Sequence, residues 1–280
     1  MIYTNASSFK AQIKNIAKEK DIAPQQVQQN YFIEQILRLI AKSVYKDNFI
    51  VKGGYLIGTI IGIDMRTTMD LDVTLKGTKL SESNLYSIFE QILGNTNKCE
   101  FKFEVCSLAP IRKDVDYGGF EVKINATFDT LREVVFIDVT SGDKITPREI
   151  RHSVKSIFSG DEINILSYNL ETVLAEKLES VISRGEGSTR PRDRYDLYTI
   201  WKMQKEDIDL AILAEALYNT AMYRESKEEL QRWKEQVSLI YGSDYQKQLW
   251  LKYQKSFKYA REIDFNESVD IVKTIMKEIS

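Results

Sequence analysis

The chain has 280 residues, of which 43% are hydrophobic and 29% are charged, as is usual for a globular protein. The 39 Lys and Arg residues nearly balance the 41 Asp and Glu residues, so overall charge indicates no nucleic-acid partner and any basic surface must be local. The first residues do not resemble a signal peptide, and no apolar run approaches the ~20 residues of a membrane span. We therefore expect a cytoplasmic protein of two packed units with no membrane partner.

The first part of the chain predicts helices followed by a sheet. Helices are expected over residues 7–20 and 24–45, the second with Pro24 in its first turn and one apolar stripe. Short β-rich runs follow, interrupted by one amphipathic helix at 82–93. The predicted strands are 49–52, 70–76, 100–107, 119–127 and 134–140. Their irregular mixture with helices predicts an α+β fold with a small mixed sheet.

From about residue 165 onward, apolar residues recur at helical spacing. The predicted helices are 169–186, 193–204, 207–223, 226–241, 244–260 and 266–279. The stretch GEGSTRPRD is the clearest loop in the chain. We therefore predict a first domain of N-terminal helices and sheet core over 1–160, and a C-terminal helical bundle over 161–280.

Three aspartates are the strongest candidates for chemistry. Asp70 and Asp72 lie two residues apart on a predicted strand, so their side chains point to the same face. Asp138 lies near the end of the apolar strand VVFIDV, which we place in the same sheet. Three converging carboxylates repel one another unless cations neutralise them, and Mg²⁺ accepts oxygen ligands of this kind. The sequence therefore predicts a Mg²⁺ site, with two ions about 3.5–4 Å apart as a mechanism for activating a hydroxyl and stabilising pyrophosphate.

A glycine turn precedes the aspartates. Gly53 and Gly54 follow the strand FIVK, where they allow a tight turn whose N–H groups can bind a triphosphate. The apolar helix that follows would add its positive N-terminal end. Arg66 lies in the loop before Asp70, and two interpretations stay open: it binds a phosphate through its planar guanidinium, or it is a solvated turn residue.

Basic residues of the helical half could also contact a nucleotide. Lys177 could neutralise a triphosphate or protonate the leaving group, or it could be a solvated surface lysine. Arg190, Arg192 and Arg194 fall within one short stretch, which predicts a local basic patch for a nucleotide or an RNA backbone. Asp196 lies four residues after Arg192, so an ion pair on the helix surface is an alternative to a functional role.

Four motifs occur in a specific order over roughly residues 50–205: KGG–x₁₁–RTT–x–DLD, FIDVTSGD, ETVLAEKLESVISR and TRPRDRYDLY. This set resembles the toxin component of AbiE-type abortive-infection systems (AbiEii/AbiGii-like). Those proteins are toxin–antitoxin nucleotidyltransferases within the DNA polymerase β-like superfamily. The positions that match the family motifs are Gly53, Gly54, Asp70, Asp72, Asp138, Ser141, Gly142, Asp143, Glu176, Lys177, Arg190, Arg192, Asp193 and Asp196.

Two positions depart from the family pattern. Tyr55 follows the glycines where a hydroxyl residue is frequent, which removes an expected hydroxyl contact to phosphate. Arg192 stands where lysine is usual, so the charge is kept but the shape and hydration of the cation differ.

The resemblance implies a Mg²⁺-dependent nucleotidyltransferase toxin that acts in phage defence. Such an enzyme would transfer NMP from an NTP to an acceptor, with tRNA or another RNA as the expected acceptor and a cognate antitoxin encoded nearby. Together with the residue arguments, it assigns catalysis to Asp70, Asp72, Asp138, Lys177 and Asp196. Nucleotide binding falls to Gly53, Gly54, Arg66, Lys177, Arg190 and Arg192. Two other hypotheses stay open: a D-x-D glycosyltransferase, and a non-catalytic nucleotide- or partner-binding protein on the same fold.

Overall fold

The structure is a computed structural model that describes residues 3–94, 101–111 and 118–280. Within these ranges the strands are β1 (Phe49–Lys52), β2 (Asp70–Leu75), β3 (Lys102–Pro110), β4 (Phe120–Phe128), β5 (Leu131–Ser141), β6 (Ile150–Lys155) and β7 (Glu162–Ser167). The helices of the first 94 residues are α1 (Ala6–Lys20), α2 (Pro24–Lys42), α3 (Gly53–Ile61) and α4 (Glu82–Leu93). The later helices are α5 (Leu170–Arg184), α6 (Pro191–Gln204), α7 (Leu210–Tyr223), α8 (Lys227–Gln231), α9 (Trp233–Gly242), α10 (Asp244–Ser256) and α11 (Phe265–Glu278).

The strands form one mixed seven-stranded sheet in the order β3-β4-β5-β2-β1-β7-β6. The central pair β2 and β5 is parallel, while β1 is antiparallel to β2 and β4 is antiparallel to β5. The predicted α+β fold with a mixed sheet is confirmed, and each predicted strand corresponds to an observed one. Residue 100, the first of the third predicted strand, lies outside the described residues.

One face of the sheet forms the core of the first unit. Its buried aliphatic positions on β2, β4 and β5 are Leu71, Val73, Leu75, Val122, Ile124, Ala126, Leu131, Val135, Ile137 and Val139. Aromatic contacts attach α2 and α4 to this same face: the ring of Phe32 lies 5.2 Å from that of Phe101, and the ring of Phe89 lies 5.6 Å from that of Phe49. Because side chains alternate along a strand, the opposite face of β2, β4 and β5 carries the intervening residues, most of which are polar.

The hairpin of β6 and β7 is absent from the sequence prediction. β7 pairs in parallel with β1 and so extends the sheet beyond the strand that precedes the glycines. The alternation of apolar and polar residues along β7 is short, because Ile163 and Ile165 are its only buried aliphatic residues before Ser167. On β6, Ile150 is exposed. Such a short edge hairpin has too few apolar positions to give a clear period-2 signal.

The chain divides into two compact units. The first is drawn from Met1–Asp143 and Ile150–Ser167, and the second from Lys144–Glu149 and Tyr168–Ser280. The boundary predicted after residue 160 lies in the turn between β6 and β7, within the first unit. In the second unit, α5 packs against α7 and α6 packs against α11. No helix in the described ranges combines the length and hydropathy that a bilayer crossing requires.

Candidate active site

A row of charged residues crosses four neighbouring strands. Lys52 on β1 lies opposite Asp72 on β2, Asp72 pairs with Asp138 on β5, and Asp138 lies opposite Glu121 on β4. Residues that pair directly across strands share a face of the sheet, and Asp70 shares it because it lies two residues before Asp72. The strand register therefore brings the three predicted aspartates to one face. It also adds Lys52 and Glu121, to which the sequence analysis gave no role in the site.

The carboxylates of this row repel one another. Partial burial, followed by the negative charges of Asp72, Asp70 and Glu121, raises the pKa of Asp138 from 3.8 to about 6. The positive charge of Lys52 acts in the opposite direction but is the weakest of these effects. Asp138 therefore ionises about 2 pH units above an ordinary aspartic acid, since its charged form is disfavoured by burial and by the other carboxylates of the row.

The row supplies only oxygen donors, the type that Mg²⁺ prefers. Within the described ranges, no three Asp, Glu, His or Cys side chains stand close enough together to form a ready metal site. Local contacts orient two of the aspartates: the Thr68 hydroxyl donates a hydrogen bond to Asp70, and the Asp72 carboxylate lies against Gly53. The donor chemistry and the shared face thus fit a divalent cation, provided that these side chains turn toward it.

The turn requires glycine at position 53 and is closely packed at position 54. Gly53 has a φ of 67°, and a Cβ at this position would overlap the carboxylate of Asp72. A Cβ at Gly54 would lie 3.1 Å from both Nη2 of Arg66 and Oγ1 of Thr68. Since α3 begins at Gly53, the N–H groups of its first turn lie directly beside Asp72.

Arg66 is buried, with 6% of its surface exposed. Its guanidinium lies beside Gly54, and its Nη1 donates a hydrogen bond to the carbonyl of Thr67. The Thr67 hydroxyl in turn accepts a hydrogen bond of 2.9 Å from Nε2 of Gln26 on α2. The interpretation of Arg66 as a solvated turn residue is therefore wrong, because its side chain packs under the loop that leads into β2.

Lys52 and Asp143 form a second polar cluster on the same strands. The Lys52 Nζ lies 2.5 Å from Oδ2 of Asp143 and donates to the Thr140 hydroxyl at 2.7 Å. The hydroxyls of Thr74 and Thr140 also donate to Asp143. Burial would raise the pKa of Asp143, but the Lys52 charge and these hydrogen bonds outweigh it and lower the pKa. Asp143 therefore anchors the end of β5 to β1 and β2.

In the second unit, Lys177 is held between two aspartates of α6. Its Nζ lies 2.6 Å from Asp193 and 3.1 Å from Asp196, and their side chains are 2% and 0% exposed. The Ser180 hydroxyl donates a further hydrogen bond to Asp193. Burial would raise the pKa of Asp193, but the charge and hydrogen bond of Lys177 outweigh it and lower the pKa.

Two alternatives left open by the sequence are therefore wrong. Lys177 is not a solvated surface lysine, because only 16% of its side chain is exposed and it contacts two carboxylates. Asp196 does not form an ion pair on the helix surface, because it is fully buried and faces Lys177. Asp193 is a motif position to which the sequence analysis assigned no role. Its carboxylate is the closer of the two to the Lys177 Nζ.

The predicted patch of three arginines contains only two exposed residues. Arg190 and Arg192 are exposed at the start of α6, whereas Arg194 is 1% exposed. The Arg194 guanidinium lies 5.5 Å from the ring centre of Trp250 and donates to Oε1 of Gln246 at 2.7 Å. Arg194 therefore belongs to the core of the helical unit, and its inclusion in the surface patch is wrong.

The C-terminal helices fix the loop that precedes the two exposed arginines. Gln246 on α10 donates from Nε2 to the carbonyls of Glu186 and Ser188, each at 2.7 Å. Trp250 and Tyr253, farther along α10, are buried residues of the helical core. The hydrogen bonds of Arg194 and Gln246 thus link α6 and α10 to the loop that ends at Arg190.

A family model described as the nucleotidyl transferase AbiEii toxin of type IV toxin–antitoxin systems matches residues 35–271. This chain belongs to the AbiEii family. The family suggested by the four sequence motifs is thereby confirmed. No curated protein matches the chain.

Two solved structures from Helicobacter pylori are similar to this AbiEii-family chain. One is described as a nucleotidyltransferase, with 14% identity over 92% of this chain and 97% of the other, and a TM-score of 0.49. The other is JHP933, with 14% identity over 92% of this chain and 94% of the other, and a TM-score of 0.48. Neither likeness assigns a role to any residue here.

The motif residues of this AbiEii-family chain fall into two groups. Gly53, Gly54, Arg66, Asp70, Asp72 and Asp138 lie in the first unit, and Lys177, Arg190, Arg192, Asp193 and Asp196 lie in the second. Within the first group, the structure brings the glycine turn against Asp72 and pairs Asp72 with Asp138. Within the second, it brings Asp193 and Asp196 to Lys177.

Replacing Asp138 by asparagine is expected to stabilise the metal-free protein at pH 8. An acid whose pKa rises from 3.8 to about 6 on folding destabilises the folded state by about 3 kcal/mol once it is ionised. Because Asp138 is only half-buried, solvent screening reduces the expected gain to about 1–2 kcal/mol. The gain in the free energy of unfolding should be complete above pH 6 and shrink as the pH falls. It should vanish below the unfolded-state pKa of 3.8.

Urea denaturation in the presence of a chelator, from pH 4 to pH 8, measures this difference. Glu133→Gln on the same strand is the control, since Glu133 is not among the charges that raise the pKa of Asp138. A stability difference between Asp138→Asn and the native protein that does not change with pH would contradict the raised pKa of Asp138.

Proposed function

We propose that this chain is a Mg²⁺-dependent nucleotidyltransferase toxin that transfers NMP from an NTP to a hydroxyl of an RNA acceptor, with tRNA as the first candidate. Its membership of a nucleotidyltransferase toxin family supports the reaction class. The observation that supports the site is the pairing of Asp72 with Asp138 beside the glycine turn. Free NTPs and tRNA are cytoplasmic, so the proposed site of action is the cytoplasm.

In this proposal, Asp70, Asp72 and Asp138 hold two Mg²⁺ ions. When bound, these ions would polarise the phosphate that is attacked and neutralise the charge that develops on pyrophosphate. The N–H groups of Gly53 and Gly54 at the start of α3 bind the triphosphate, because a helix N-terminus favours anions. Arg66 supports them from beneath Gly54 with its positive charge.

The proposed reaction is a single displacement at the α-phosphorus of the NTP. The acceptor oxygen forms a bond to this phosphorus, the bond to the oxygen that bridges to the β-phosphorus breaks, and pyrophosphate leaves. The hydroxyl proton passes to the Asp138 carboxylate, which lies on β5 across β2 from the strand that leads into the glycine turn.

For the second unit we propose that Lys177, Arg190 and Arg192 bind the nucleotide. Asp196, which the resemblance assigns to catalysis, would act with Asp193 by holding the Lys177 ammonium in place. Lys177 keeps part of its surface exposed, and the two arginines are exposed at the start of α6. A cognate antitoxin is the proposed protein partner, since the family is one of type IV toxin–antitoxin systems.

The other two hypotheses receive less support. A D-x-D glycosyltransferase would transfer a sugar, whereas the family is one of nucleotidyl transferases. A non-catalytic nucleotide-binding protein would not require three carboxylates on neighbouring strands, where burial and then the charges of Asp72 and Asp70 raise the pKa of Asp138.

Incubation of the purified chain with Mg²⁺, total tRNA and each labelled NTP in turn tests the proposal. We expect label in the RNA, release of pyrophosphate in equal amount, and loss of both when a chelator replaces Mg²⁺. Calorimetric binding of NTP without labelling of RNA would support a binding protein instead. Transfer of sugar from a nucleotide-sugar would support a glycosyltransferase, and either result would overturn the proposal.

A further inference from the structure

The sheet face that carries the aspartates also carries an aromatic ring. Phe136 lies two residues before Asp138 on β5, so both side chains leave the same face. Phe136 pairs with Asp70 on β2 and with Lys123 on β4. Its ring is therefore flanked by one of the proposed metal ligands on one side and by a lysine on the other.

This position is unusual among the described strand residues. On this face of β2, β4 and β5, Phe136 is the single aromatic residue, with the polar Asp70 and Lys123 on either side and the apolar Val134 next to it along β5. The buried Phe rings of this unit pack on the opposite face, against α2 and α4. Phe136 is partly exposed, so its ring keeps a surface on which a flat ligand can stack.

Lys123 provides a cation beside this ring. Its Nζ lies 5.5 Å from the ring centre of Phe136 and 3.4 Å from Oε1 of Glu121. The lysine side chain is 38% exposed, and its flexible stem allows the ammonium to move from the ring to a nearby phosphate. An aromatic face with an adjacent cation is the combination that binds single-stranded nucleic acid.

The order of the strands indicates which substrate would meet this ring. The glycine turn follows β1, the aspartates lie on β2 and β5, and Phe136 and Lys123 lie on β5 and β4. In an in-line displacement the attacking oxygen and the leaving pyrophosphate lie on opposite sides of the phosphorus. With the triphosphate at Gly53 and Gly54, the attacking hydroxyl comes from the side of β5 and β4.

We propose that Phe136 and Lys123 bind the nucleotide at the reacting end of the RNA acceptor. The base stacks on the Phe136 ring, and Lys123 binds a phosphate of the same strand. This inference rests on the proposed nucleotidyl transfer and adds the subsite that selects an RNA over a protein acceptor. A protein acceptor has no base that could stack on Phe136, so the ring would not strengthen its binding.

Steady-state transfer of label to total tRNA tests the role of the ring. Phe136→Leu keeps an apolar side chain for packing but removes the stacking surface, and Phe136→Trp keeps a ring. We expect Phe136→Leu to raise the KM for tRNA about tenfold or more with little change in the KM for NTP. Phe136→Trp should retain a KM close to that of the native protein.

Tyr86→Ala is the matched control, because Tyr86 is an exposed aromatic on α4, which packs on the opposite face of the sheet. It should leave both KM values unchanged. A native KM for tRNA in Phe136→Leu would overturn the proposal. So would a rise confined to the KM for NTP, since the ring would then contact the nucleotide that is transferred.

A binding experiment separates this inference from the proposed activity. In Phe136→Trp, titration with a short single-stranded RNA without metal should quench tryptophan fluorescence beyond the change seen in the native protein. If the native chain labels no RNA, the proposed activity fails, and this titration alone decides the inference. Absence of additional quenching, or labelling of protein that is insensitive to Phe136→Leu, would overturn it.

Discussion

Replacement of Asp72 by asparagine is expected to reduce nucleotidyl transfer by a factor on the order of a thousand. Asp72 occupies the centre of the charged row, between Lys52 and Asp138, with its carboxylate against Gly53. It is therefore the residue that connects the glycine turn with the other carboxylates. Asparagine keeps the shape of the side chain but removes the charge that would hold Mg²⁺.

Label transfer to tRNA at saturating NTP and Mg²⁺ measures this loss. Asp64→Asn is the matched control, because Asp64 is an exposed aspartate in the loop between α3 and β2. It should transfer at the native rate. Asp72→Asn should unfold at a urea concentration no lower than the native protein, since it removes repulsion with Asp138. Transfer by Asp72→Asn at more than about a tenth of the native rate would contradict the metal assignment.

The sequence was sufficient to predict the common face of Asp70 and Asp72, because a strand has a period of two. The apolar run around Asp138 also placed this residue in the same sheet, although its pairing with Asp72 depends on the register between β2 and β5. The roles of Lys52 and Glu121 could not be predicted in this way. They depend on the register between β1 and β2 and between β4 and β5, which tertiary packing determines and a local pattern does not.

The helical motif shows a different limit of sequence patterns. Arg190, Arg192 and Arg194 look alike as a charged cluster, yet Arg194 is buried. All residues from Asp193 to Leu197 are buried, because α6 contacts α5, α10 and α11. A helix that is enclosed on several sides has no single apolar stripe, so the pattern could not separate its inner from its outer charges.

Replacement of Lys177 by methionine is expected to destabilise the protein by about 3 kcal/mol at pH 7, because it removes the cation that contacts two buried carboxylates. By contrast, Lys247→Met should cost less than about 1 kcal/mol, because the Lys247–Asp244 pair is 44% and 92% exposed. In the native protein the pKa of Asp193 is lowered, so its stabilising effect is present above the unfolded-state pKa of 3.8 and is lost as the pH falls. The difference between Lys177→Met and the native protein should therefore persist from neutral pH down to about pH 4 and shrink only below the unfolded-state pKa of 3.8.

The double variant Lys177→Met/Asp193→Asn separates the structural role of Lys177 from its proposed role in nucleotide binding. Removing one of the two buried charges should restore part of the stability lost in Lys177→Met, as measured by urea denaturation. It should not restore nucleotidyl transfer, because the cation proposed to bind the triphosphate is still missing. Recovery of transfer together with stability would show that Lys177 acts only by holding α5 against α6. Transfer that stays low in a protein of recovered stability would instead place the Lys177 ammonium among the groups that act on the nucleotide.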